Sequence, residues 1–111
     1  MTRLTSRFLV DLLLRRTEAA GGFAAILARG DETSGVILVQ CSDRGQAGPL
    51  LERRFSPAGY VWEAVGPADD SDGESRENYQ NRRRKADPDL WLVELDIADA
   101  PQLVAEWAAL T

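Results

Sequence analysis

Arg82, Arg83, Arg84 and Lys85 are consecutive cations, and Tyr79 lies one helical turn before them. Planar guanidinium groups grip carboxylates and phosphates through paired N–H donors and stack on aromatic rings, so this run is a candidate contact surface. A solvated helix end accounts for it equally well, because cations there oppose the negative pole of the helix dipole. Asp89, Glu94 and Asp96 follow directly. Glu94 and Asp96 fall on one face of an extended segment, and paired carboxylates hold hard cations such as magnesium, as in metal-dependent nucleases and phosphoesterases. Such a site places a lysine two positions after the second acid; here that position is Asp96, and the group that would stabilise developing charge is missing. The plainer reading puts Asp89 in a turn and the other two acids at the wet end of a strand.

The chain has no histidine and a single cysteine, Cys41. Histidine-based triads, histidine acid–base catalysis and histidine-ligated zinc or haem are therefore excluded within it. An intramolecular disulfide and a cysteine metal cluster are excluded as well. Cys41 lies in a run of branched apolar residues and reads as a small core residue; a nearby Arg44 could lower its pKa, but it has no histidine to activate it. No Walker or dinucleotide-binding pattern is present, and the acids at 31–32 do not match a calcium loop. No cofactor is expected.

At 111 residues the chain is long enough for one domain, 1–111, with its own core. Its 44% hydrophobic and 28% charged residues place it among ordinary soluble globular proteins. The net charge of −5 repels phosphate at long range, which makes nucleic acid the less favoured partner. Charge is nonetheless segregated, since Asp69, Asp70, Asp72, Glu74 and Glu77 precede the basic run. The apolar run at 8–14 is short and interrupted by Asp11, so it makes neither a secretory leader nor a membrane span. No membrane association is expected, and a cytoplasmic location follows as the default.

The elements that must position these residues can be read in order. Thr5 or Ser6 caps a first helix whose apolar residues Phe8, Leu9, Leu12 and Leu13 recur at helical spacing, and Gly21-Gly22 ends it. Strands are expected at 23–29 and 36–41, joined by a hairpin loop at 30–35. A loop with the breakers Gly45, Gly48 and Pro49 spans 43–49. Strands at 50–55 and 60–65 flank a Ser-Pro-Ala-Gly turn, and Glu52, Arg53, Arg54 and Glu63 suggest ion pairs across them. Ser71 and Glu74 have capping-box spacing, which starts a helix near Ser71 that runs to about Ala86. That helix has almost no apolar stripe, and a helix polar all round bridges solvent, is marginal, or is covered by a partner. Asp87-Pro88 stops it. Residues 90–97 form a strand that is apolar on both faces in its first half, which places it inside the sheet. Asp99 caps a last helix with Pro101 in its first turn and Leu103, Trp107 and Leu110 as its buried stripe.

The order α-β-β-β-β-α-β-α predicts an α+β fold: a mostly antiparallel sheet of about five strands, with helices packed chiefly on one face. The helix ending Leu-Leu-Arg-Arg, the segment Arg-Gly-Asp-Glu-Thr-Ser-Gly-Val-Ile-Leu-Val and the segment Arg-Arg-Arg-Lys-Ala-Asp-Pro-Asp-Leu-Trp-Leu-Val-Glu-Leu-Asp add a resemblance. Over nearly its whole length the chain resembles a family of short bacterial proteins known as domain of unknown function 1491. The resemblance implies a stand-alone cytoplasmic domain and transfers no catalytic residue. The functional expectation is a non-enzymatic binding or regulatory module. Its basic helix end, Tyr79 with Arg82, Arg83, Arg84 and Lys85, would meet an acidic protein partner or a second copy of the chain. The alternatives are nucleic-acid binding through the same cations and a metal-dependent nuclease using Asp89, Glu94 and Asp96.

Overall fold

Helix α1 (Ser6–Ala19) begins where its capping residue asks it to. The structure, a computed structural model, describes residues 4–67 and 75–108. The Thr5 hydroxyl accepts from the Phe8 N–H, and the Thr5 carbonyl accepts from Leu9. The N–H groups of Ser6 and Arg7 donate to the Thr33 and Glu32 carbonyls at 3.1 and 2.9 Å. The first turn is thereby satisfied by the 30–35 segment, and no donor is left over to attract an anion. Leu9, Val10 and Leu13 are buried on one face, and the helix gives way at Ala20 to Gly21, whose φ of +92° suits glycine.

The remaining elements are β1 (Phe23–Ala28), β2 (Ile37–Asp43), β3 (Gln46–Ser56), β4 (Gly59–Val65), α2 (Arg76–Ala86), β5 (Trp91–Asp96) and α3 (Ala100–Ala108). They form an α+β fold in the expected order of elements. The sheet has five strands in the order β1-β5-β2-β3-β4, antiparallel throughout except for the parallel pair β2 and β5. The interior place expected of β5 is observed: Trp91, Val93 and Leu95 are buried on one face, Leu90 and Leu92 on the other.

Three boundaries differ from the sequence reading. Segment 30–35 is not a hairpin loop, because β5 lies between β1 and β2 and the segment passes across its entrance. Asp31 N–H donates to the Asp89 carbonyl at 2.9 Å, and Trp91 N–H to the Val36 carbonyl at 2.7 Å. The Asp31 carboxylate also closes a local turn. The Ser34 N–H, opposed by some desolvation and aided by the Thr33 N–H and the Ser34 hydroxyl, holds its pKa below the usual value. Segment 43–49 is not an open loop either. Arg44 and Gly45 alone make the turn, both with positive φ (54° and 81°), and β3 starts at Gln46. Gly48 and Pro49 stand together opposite Cys41, a bulge that lets proline sit in a strand without a ladder donor. Finally, α2 starts at Arg76 with Ser75 as its N-cap, the Ser75 hydroxyl accepting from Asn78 N–H at 3.1 Å. Ser71 and Glu74, expected to open it, and Leu110, expected in the stripe of α3, lie outside the described residues.

Helices α1 and α3 cover one face of the sheet, where Leu9, Val10, Leu13 and Val104 meet Val39, Trp91, Val93 and Leu95. Helix α2 lies on the other, above the smaller cluster of Leu38, Leu50, Leu90 and Leu92. Among the described residues, no helix is long and apolar enough to cross a membrane.

Candidate functional site

Helix α2 carries the candidate basic residues, and its packing decides which of them face outward. Arg76, Tyr79, Gln80, Arg83 and Arg84 are half-buried, while Glu77, Asn78, Asn81, Arg82 and Lys85 are exposed. The inner set recurs every three or four residues, the spacing of a helix face laid on a sheet. Its chemistry is polar, and α2 has no fully buried residue. The helix is held by hydrogen bonds where an apolar stripe would ordinarily hold it.

Each inner residue has a defined contact. Arg76 Nε donates to the Pro67 carbonyl at 3.3 Å, and Gln80 Nε2 donates to Gln40 Oε1 at 3.0 Å. The ring of Tyr79 rests on Gly66, where an added Cβ would lie 2.9 Å from the ring. Arg83 reaches the largely buried Glu52 at 2.7 Å and the Tyr79 hydroxyl at 2.9 Å. The Glu52 hydrogen bond raises the guanidinium pKa further, against the downward pull of burial, with Tyr79 assisting. Arg84 donates to three main-chain carbonyls, those of Arg29, Pro88 and Leu90, at 3.0, 3.1 and 2.7 Å. It ties the end of α2 to the segment that leads into β5.

Arg83→Ala should cost about 2 kcal/mol, because Glu52 would be left nearly dry with the more exposed Arg54 beside it at 3.5 Å. Adding Glu52→Ala should recover part of that loss, a coupling of about 1 kcal/mol in a denaturant-unfolding double-mutant cycle. Strict additivity would mean that solvent screens the pair.

The candidate surface therefore divides. Tyr79, Arg83 and Arg84 face the sheet; Arg82 and Lys85 face solvent, with the Arg82 guanidinium 5.1 Å from the centre of the Tyr79 ring. The carboxylates of the alternative site are not brought together. Asp89 precedes β5 and lies five residues from Glu94, about 16 Å along an extended chain. Glu94 accepts from the Ser42 hydroxyl at 3.1 Å, and Asp96 accepts from the Arg44 and Gly45 N–H groups at 2.7 and 2.9 Å. Asp96 thus fastens the β2–β3 turn. Among the described residues no group of three or more His, Cys, Asp or Glu side chains could hold a metal ion. Cys41 is buried in the main core, and burial pushes its thiol pKa up to about 12, opposite to the activation that a neighbouring arginine would give.

One feature escaped the sequence reading. Beside α2, on the same face of the sheet, a groove of about 590 Å³ is lined by Gln40, Ser42, Gln80, Glu77 and Glu94 together with Leu27. Its signal was present in β2, where Gln40 and Ser42 alternate with Val39 and Cys41, so that one face of a central strand turns polar at its end.

The chain is similar to a DUF1491 family protein from Caulobacter crescentus CB15, known from a crystal structure. The TM-score is 0.75 at 30% identity, over 88% of this chain and 92% of that one. The NMR structure of a DUF1491 family protein from the same organism gives 0.74 at 31%, over 90% and 91%. The solution structure of protein Atu0922 from A. tumefaciens gives 0.63 at 29%, over 88% and 89%. No curated protein matches the chain. The family model described as a protein of unknown function, DUF1491, matches residues 4–105, and the chain belongs to that family.

Proposed function

We propose that the protein is a small cytoplasmic binding module without catalytic activity, and that the outer side of α2 receives an acidic segment of another protein. The carrying observation is the division of labour along α2. The inner arginines, Arg83 and Arg84, pin the helix to the sheet, and this holds Arg82 and Lys85 outward in a fixed orientation. A helix already pinned to the sheet loses little backbone freedom when its outer cations meet carboxylates. The nucleic-acid reading has less support, because Arg83 and Arg84 are engaged inside the molecule and the net charge is −5. The nuclease reading has less still, with Asp89 far from Glu94 and Asp96 engaged at a turn.

The test is affinity capture from extracts of the source cells, comparing the wild type with Arg82→Glu/Lys85→Glu. Reversal of two exposed charges should weaken an acidic partner at least tenfold, about 1.4 kcal/mol or more, and leave the melting temperature nearly unchanged. Partners retained equally by the reversed chain would refute the acidic-segment reading.

A further inference from the structure

Among the described residues, strand β1 ends the sheet and has one neighbour, β5. Alternate N–H and C=O groups along Phe23–Ala28 therefore point away from the sheet. The other edge, β4, carries the exposed Glu63 in mid-strand, a charge that deters pairing. Strand β1 has neither charge nor proline, and Phe23 and Leu27 are 78% and 51% exposed. We propose that β1 is a dimerisation edge, on which a second copy of the chain pairs antiparallel about a twofold axis at Ala25.

The side chains favour that register. Directly opposed residues of a strand pair must lie on the same face. Centring on Ala25 meets this rule and sets Phe23 of one copy opposite Leu27 of the other, with Ala25 facing its own symmetry mate. Two large apolar pairs then flank one small pair on the face that α1 and α3 leave uncovered, while Ala24 and Ile26 oppose each other on the face beneath α1. Pairing against β5 is regular over 23–26 and shifts between Ile26 and Ala28, so Leu27 is the bulge residue at the far end of that stretch. An interface of this kind is isologous and closes at two copies. It does not depend on the α2 surface.

Sedimentation velocity from micromolar to millimolar chain should give a dimer for the wild type. Ala25→Lys places two ammonium groups side by side at the axis and should weaken association at least tenfold. Position 25 is exposed, so the thermal melt of the lysine variant should stay cooperative and confirm that it folds. A second variant gives an independent reading. Opposed residues of a strand pair have Cα atoms about 4.5–5.5 Å apart, within disulfide reach, so Ala25→Cys should cross-link under oxidised glutathione far faster than the exposed control Ala105→Cys. A wild type that remains monomeric throughout, a dimer indifferent to Ala25→Lys, or equal cross-linking of the two cysteine variants would each overturn the proposal. So would a monomer that accepts an extended peptide along β1.

Discussion

Trp91→Ala is expected to cost about 3–5 kcal/mol and to lower the melting temperature by roughly 12–20 °C. Trp91 is fully buried, at the point where β5 enters the sheet between β1 and β2. Its ring belongs to the main core with Leu9, Val39 and Val93, and its indole N–H donates to the Asp31 carbonyl at 2.7 Å. Truncation would remove the largest of the buried side chains described and one of the hydrogen bonds that hold the 30–35 segment. Trp91→Phe separates the two effects. It keeps most of the volume but removes the shorter of two hydrogen bonds to the Asp31 carbonyl, leaving the Gly35 N–H at 3.2 Å, which should cost about 1 kcal/mol. Guanidinium unfolding followed by circular dichroism reads both. A loss below about 1 kcal/mol for the alanine variant would mean that the ring is not the anchor of the core.

Gly35→Ala is expected to be nearly as damaging, at about 3 kcal/mol, although it adds only one methyl group. A Cβ at Gly35 would collide with the Asp89 carbonyl oxygen and lie 2.9 Å from both the Asp31 carbonyl oxygen and the Trp91 ring. Gly30 is in the same position from the other side, with the Trp91 ring at 2.7 Å. At both sites the obstacle is main chain, which cannot swing aside as a side chain would, and the Asp31–Asp89 hydrogen bond must stretch to admit the methyl. Gly21→Ala is the contrast. Its φ is +92° and nothing stands within 4 Å of the added atom, so only backbone strain of about 1 kcal/mol is expected. Equal losses at 21 and 35 would show that conformation, not space, selects glycine in this chain.

Much of this arrangement was legible in the residues. The central position of β5 follows from apolar side chains on both faces of Trp91–Val93, since only an interior strand with both faces covered tolerates that pattern. The ends of α1 follow from Thr5 and Gly21. What escaped was non-local. The turn-forming residues of 30–35 look alike whether the flanking strands pair or straddle a third, and the strand that separates them comes more than fifty residues later. Gly48 and Pro49 suggested a loop because a bulge accommodating proline depends on the partner strand. For the candidate surface, the sequence could not divide the residues into those that face the sheet and those that face solvent. Helix α2 has correct periodicity with polar content, and a count of apolar positions does not detect a face built of Arg76, Tyr79, Gln80, Arg83 and Arg84. The partner of Arg83 is Glu52, at the far end of a hairpin, and the partners of Arg84 are carbonyls, which no sequence displays.

The late insertion of β5 also constrains synthesis. While the ribosome is still adding residues up to about 90, β1 has no neighbour to bond with, and the β2–β3–β4 meander presents an open flank of apolar residues. Consolidation of the sheet must await emergence of β5, more than fifty residues after β1 and β2 begin. A chain cut before Trp91 would leave that flank uncovered and prone to adhesion.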